Sequence, residues 1–134
     1  MLWLQEKGVA ILTNTQITIW EREFDLNIEY DCYEGETVTQ NQIDMLNKFL
    51  KNPNWLNDAK QKVESYCKDA VLQDDQNTKK DNIFSYIKPD YLFVKRSQQK
   101  LAIMCKYRYE PEHGLAVVFD FNGNITVDIQ DIIL

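Results

Sequence analysis

An α+β domain is the fold class that the sequence predicts, with antiparallel strands toward both ends and two central helices packed on one face of the sheet. Two observations predict it. Residues 24–32 alternate between apolar and polar with period two, which only a strand uses, and the same alternation returns in three segments after residue 100. Between these regions two apolar stripes recur at spacings of three and four, as in amphipathic helices. At 134 residues the chain is one domain, 1–134. Hydrophobic residues make up 44% of it, enough for an ordinary core, so intrinsic disorder is excluded for most of its length.

The first elements are strands. Val9-Ala10-Ile11-Leu12 and Ile17-Thr18-Ile19-Trp20 are short β-branched runs, and Thr13–Gln16 between them has the length of a hairpin loop. Next, Phe24, Leu26, Ile28, Tyr30 and Cys32 alternate with Glu21, Glu23, Asp25, Asn27, Glu29 and Asp31. Apolar residues are odd-numbered at Ile17 and Ile19 but even-numbered from Trp20 on, so a hairpin corner or bulge must lie at Trp20–Arg22.

The odd face of that strand carries five carboxylates and one amide. One reading is the solvated outer face of a sheet. Another is an acidic docking face for a basic protein, where complementary charge speeds association and selects the partner. A third, ligation of a hard cation, is weak, because in-line strand side chains about 7 Å apart do not converge on one ion. No metal ligand set is assigned.

Thr39 followed by Gln42 has capping-box spacing and starts a helix that runs to about Lys51 through Ile43, Leu46, Phe49 and Leu50, and Asn52-Pro53 stops it. Asn54 caps a second helix with the stripe Trp55, Ala59, Val63, Tyr66 and Ala70, the pair together extending to about Asp74. Residues 73–82 contain no apolar side chain and read as a surface loop, with Asp74, Asp75 and Asp81 as a second set of contact candidates. Ile83–Ile87 reads as a helical turn ended by Pro89, and Tyr91–Val94 resumes strand character.

Leu101, Ile103, Cys105, Tyr107 and Tyr109 mark a half-buried strand, followed by Leu115–Phe121 and Ile125–Ile129 with the same parity. A two-residue Asn122-Gly123 turn would set Phe119 against Thr126. A three-residue loop, 122–124, instead pairs Phe121 with Ile125 and Phe119 with Val127 on one face, and is the expected form.

Lys+Arg 15 against Asp+Glu 21 leaves 15 − 21 = −6. That balance repels phosphate backbones and anionic lipid, and no basic patch stands out, so neither nucleic acid nor membrane is expected as a partner. The opening residues lack a basic segment followed by an apolar run, and no stretch reaches membrane-spanning length, so a cytoplasmic location is expected. Cys32, Cys67 and Cys105 read as buried reduced thiols. No phosphate-binding, dinucleotide-binding, nucleophile-elbow or zinc motif occurs, and no cofactor is expected. The single histidine, His113, sits in the turn Glu110-Pro111-Glu112-His113-Gly114. It closes the turn by hydrogen bonding or, in the alternative, works as an acid–base group with Glu110 or Glu112.

Pro111-Glu112-His113-Gly114-Leu115-Ala116-Val117, then Asn122-Gly123-Asn124, then Asp128-Ile129-Gln130-Asp131-Ile132-Ile133-Leu134, resemble the C-terminal signature of a family of small bacterial proteins of unassigned function. Thr39–Gln42 and Pro89–Val94 match further pieces of that pattern, which extends from about Trp20, and Glu112-His113-Gly114-Leu115 is its specific element. Members are similar to immunity proteins of contact-dependent growth inhibition systems. The resemblance implies a cytosolic, non-enzymatic bacterial protein that neutralises a cognate toxin C-terminal domain, commonly a nuclease, by occlusion and charge complementarity. It implies no catalytic residues. The contact residues expected are Glu21, Glu23, Asp25, Glu29 and Asp31, with Asp74, Asp75 and Asp81. A small His113 enzyme and a plain interaction module are the alternatives, and the sequence leaves the oligomeric state open.

Overall fold

The computed structural model describes residues 3–6, 9–73 and 83–134, with side chains described for 11–68 and 84–134. Strands β1 (Trp3–Glu6) and β2 (Val9–Leu12) pair as a separate antiparallel ladder. The main sheet has six strands in the order β3 (Asn14–Ile19), β4 (Arg22–Tyr30), β5 (Ile87–Val94), β6 (Lys100–Tyr107), β7 (Leu115–Asp120) and β8 (Ile125–Asp128). Helices α1 (Gln40–Leu50) and α2 (Asn54–Gln73) connect β4 to β5, which run parallel, while all other neighbours are antiparallel. A parallel pair needs such a crossover, and the two helices supply it. The fold is the expected α+β class, with one parallel junction in an otherwise antiparallel sheet.

The expected hairpin corner is a two-residue turn. Ile19 pairs with Arg22, leaving Trp20 (φ 48°) and Glu21 (φ 72°) in the left-handed conformation that two-residue hairpins favour and side chains resist. Trp20 offsets that cost by burying its ring against Phe84 and donating its indole N–H to the Leu56 carbonyl at 3.0 Å. The turn joins strands of opposite parity, so Ile17 faces Phe24 and both apolar sets meet one core. Thr13–Gln16 is not the expected loop. Residues 14–16 are paired strand, because β2 finds its partner in β1 instead, a pairing that no local pattern announces.

Leu26 and Ile28 of β4 point to the helices together with Leu92, Val94, Leu101, Ile103, Cys105, Leu115, Val117 and Phe119. Phe119 sits under both helices, 5.2 Å from the Phe49 ring and stacked at 6.0 Å on Trp55. On α2 the buried stripe is Trp55, Leu56, Ala59, Val63 and Cys67. Tyr66, expected in the stripe, is 36% exposed, since strict spacing of four turns the stripe onto Cys67, and the Ala70 side chain lies outside the described set. Cys67 and Cys105 are buried free thiols, as expected; Cys32 is only half-buried, beside Arg96 and Gln42. The central strands, expected to be half-buried, are buried on both faces: Ala102, Met104, Ala116 and Val118 form a second cluster with Phe93, closed by Ile133 near the C-terminal end. Strand β5 begins earlier than expected, at Ile87, and carries Pro89 beside an irregularity between Pro89 and Tyr91 that shifts its facing by one residue. A bulge is where a central strand tolerates proline.

The β7–β8 hairpin corrects the expected register. Phe119 pairs with Ile125 and Val117 with Val127, so the loop sits one residue earlier than 122–124. The Asp120 carboxylate accepts the backbone N–H groups of Asn122 and Asn124, and this places Gly123 at φ 86°, where glycine is favoured, instead of Asn124. Both registers keep the same residues on the core face, which is why hydrophobic pattern alone did not separate them.

The capping box at Thr39 and Gln42 forms as the sequence predicts, and it does more than cap. Gln42 is fully buried. Its amide Nε2 donates to the carbonyls of Asp31 and Val94, each at 3.2 Å, while its Oε1 accepts the Thr39 N–H at 2.9 Å. Gln42→Ala removes the cap and leaves buried carbonyls short of a donor, and should destabilise the fold by about 3 kcal/mol. Urea unfolding should show a lower midpoint at an unchanged slope.

Candidate functional site

Glu23, Asp25 and Glu29 lie exposed on the sheet face opposite the helices, in the alternating pattern that buries Leu26 and Ile28 between them. Glu21 is exposed in the β3–β4 turn, where it borders a separate pocket with Arg22 and Lys60. Among the described residues none of these four carboxylates forms an ion pair, and Asp25 accepts one hydrogen bond, from the Asn14 side chain at 3.0 Å. Polar β3 residues complete the surface, with Gln16 opposite Asp25 and Thr18 opposite Glu23. A groove of about 420 Å³ crosses this hairpin, bordered by Gln16, Thr18, Glu23 and Asp25. It offers carboxylate and amide acceptors across the edge strand β3 and its neighbour β4.

Asp31 does not continue the row. It lies beyond the end of β4, half-buried, and its carboxylate accepts the Arg96 backbone N–H at 3.2 Å. Arg96 in turn reaches Glu36 at 3.4 Å and the Thr37 carbonyl, so Asp31 helps tie the β5–β6 turn to the segment before α1. Asp74, Asp75 and Asp81 lie outside the described residues.

His113 is exposed, with Nδ1 2.9 Å from Glu110 Oε1. The same turn organises the C-terminal end of the chain. Gly114 donates its N–H to the Glu110 carbonyl, the Gln130 N–H bonds the His113 carbonyl, and the Gln130 side chain donates to the Cys105 carbonyl at 3.0 Å. Gly114 has φ +59°, and a Cβ there would lie 2.6 Å from the Cys105 oxygen and 2.7 Å from Gln130 Nε2. Gly123 is equally confined, where a Cβ would meet the Trp55 indole nitrogen at 2.9 Å. Gly114 and Gly123 each therefore admit a neighbouring group to close contact. The hydrogen bond to Glu110 holds the His113 pKa above its ordinary 6.5, with slight desolvation opposing and the charges of Asp131, Glu110 and Glu112 assisting.

The sequence showed no basic patch, yet the fold assembles one. Strands β4 and β5 are paired only from Asn27 and Tyr91 onward, and their N-terminal halves part. A cleft of about 930 Å³ opens there, with Arg22, Lys88, Lys106 and Arg108 among its walls and no carboxylate. These cations come from three strand ends up to 86 positions apart (108 − 22), so no window of sequence contains them. His113 is not part of this cleft. Among the described residues no three His, Cys, Asp or Glu side chains are grouped to hold a metal ion, and no helix is long and apolar enough to cross a membrane.

The class defined by this arrangement is an α+β domain whose helical layer covers one face of a mixed six-stranded sheet and whose other face is acidic along β4. The chain belongs to the DUF6985 family, a domain of unknown function, whose family model matches residues 3–134. Comparison with curated proteins gives no match, and comparison with solved structures gives none.

Glu110→Gln should lower the His113 titration midpoint, followed by NMR of its ring protons. Because the folded pKa is the raised one, the Glu110 contact stabilises fully below about pH 6.5 and fades as pH rises through the folded value. Gly114→Ala should cost at least about 2 kcal/mol, from the left-handed backbone and the forced retreat of Gln130, read from thermal unfolding.

Proposed function

We propose that the protein is a cytosolic bacterial immunity protein that binds and neutralises a cognate, basic toxin domain of the nuclease class through its β3–β4 face. The observation that carries this reading is the row Glu23, Asp25 and Glu29, exposed and without an ion-pair partner among the described residues, with Glu23 and Asp25 bordering the groove across β3 and β4 and Glu21 exposed in the turn beside them. Carboxylates held on a rigid strand face without an internal counter-charge attract a cationic surface at long range and set its register at contact. A nuclease domain presents such a surface, because it must hold a phosphate backbone. Inhibition by this route needs shape and charge only, since a bound protein over the toxin's substrate groove excludes substrate. The C-terminal resemblance to immunity proteins points the same way. His113 fits a structural task in this reading, as its turn locks the end of the chain onto β6.

The experiment is co-purification with the C-terminal domain of a large secreted protein encoded next to the gene, at low and moderate salt. A complex that weakens as salt rises is expected, because surface electrostatics are screened. The triple variant Glu23→Lys/Asp25→Lys/Glu29→Lys should lose affinity by at least about a hundredfold, since like charges across an interface cost several kcal/mol. Unchanged affinity in the triple variant, with the complex intact, overturns the docking face. Absence of any complex with a folded neighbour overturns the immunity reading.

A further inference from the structure

The cleft between the parted halves of β4 and β5 has the composition of a ligand site and plays no part in the acidic face. Lys88 and Lys106 are cross-strand partners on β5 and β6. Two like charges directly opposite one another disfavour the sheet. Both are exposed, and neither has an ion-pair partner among the described residues. On a chain of net charge −6, lysines have many carboxylates to choose from, so an uncompensated pair facing a cleft is a specific arrangement. An anion between the two would turn the repulsion into attraction.

The other walls are aromatic and flat. Arg108 lies over the Tyr86 ring at 5.2 Å and the Tyr109 ring at 5.8 Å, which holds its guanidinium in a fixed plane. Phe24 and Tyr86, both half-buried, line the cleft with Arg22 and Arg108. Arg22 has a different task. Its Nη2 donates to the carbonyls of Phe84 and Ile87, each at 3.0 Å, and its guanidinium lies over Phe24 at 5.3 Å, so it bridges the parting of the strands. A volume of about 930 Å³ far exceeds what a lone inorganic anion fills and lies within the range of pockets for small organic ligands, roughly 300–1,000 Å³.

We propose that this cleft is a binding site for a nucleoside phosphate, its phosphate oxygens held by Lys88 and Lys106 and its planar base against the aromatic wall beside Arg108. Phosphate supplies the concentrated negative charge that a facing lysine pair accepts. A planar base supplies the body that stacks on tyrosine and guanidinium planes. The site is independent of the toxin-binding reading, because it uses none of the β4 carboxylates.

Isothermal titration of the whole protein with ADP, adenosine and inorganic phosphate, at low salt, tests it. ADP is expected to bind, and each of the other two more weakly, since each offers half of the contacts. Lys88→Gln and Lys106→Gln, both at exposed positions and checked for folding by circular dichroism, should each weaken ADP about tenfold, the effect of one charge-assisted hydrogen bond. Failure to bind ADP at millimolar concentration overturns the proposal. So does ADP binding that both lysine variants leave unchanged. Inorganic phosphate binding as tightly as ADP overturns the nucleoside assignment, because the aromatic wall would then contribute nothing.

Discussion

A single buried amide fixes how this chain crosses over. Gln42 bonds the carbonyl after the end of β4 and the carbonyl at the end of β5, while its own oxygen closes the first turn of α1. The Val94 carbonyl is shared, since it also accepts the Asp31 N–H at 2.9 Å. The two strands that run parallel are thus joined at their C-terminal ends by the same residue that starts the helix leading from one toward the other. Parallel strands cannot be closed by a tight turn, so their alignment depends on where the intervening helices are anchored. With α1 fixed there, Met45, Leu46 and Phe49 fall over the sheet, and the opposite face of β4 is left to solvent. An amide in this position is neutral and carries both donor and acceptor, so it bonds three backbone groups without burying a charge.

Local pattern made much of this legible. The alternation of β4, the Thr39–Gln42 box, the stop at Asn52-Pro53 and the corner at Trp20 all appear as read, because each depends on residues within a few positions of one another. Pairings over long separation left no such trace. Nothing in Val9–Leu12 says that its partner precedes it, and nothing in β4 or β5 says that they are parallel. Burial of β6 and β7 on both faces was hidden by small residues, Ala102 and Ala116, which do not mark a core as leucine does. Of the candidate site, the row Glu23, Asp25 and Glu29 was visible because strand periodicity placed it. Asp31 was misaligned because the strand ends one residue before it. The basic cleft was invisible because its cations meet only in the folded chain.

The C-terminal segment that carries the resemblance has a structural task. Gly114 leaves room for Gln130 to reach the Cys105 carbonyl, and Gly123 leaves room for the Trp55 indole above the β7–β8 loop. Asp120, partly desolvated, is still held below the ordinary carboxylate range by hydrogen bonds from Asn124 and Asn122. Together these residues fasten the last two strands and the closing turn to the sheet.

The strict alternation along β4 separates two kinds of constraint within one nine-residue strand. Inward residues are bound to neighbours in the core, where a change of one methylene is felt. Outward residues face solvent, apart from the hydrogen bond that Asp25 accepts from Asn14. Every second residue of the strand can therefore be changed in charge or in size while the interior stays as it is. The stability of the core and the charge of the exposed row are thereby set by separate residues of one strand.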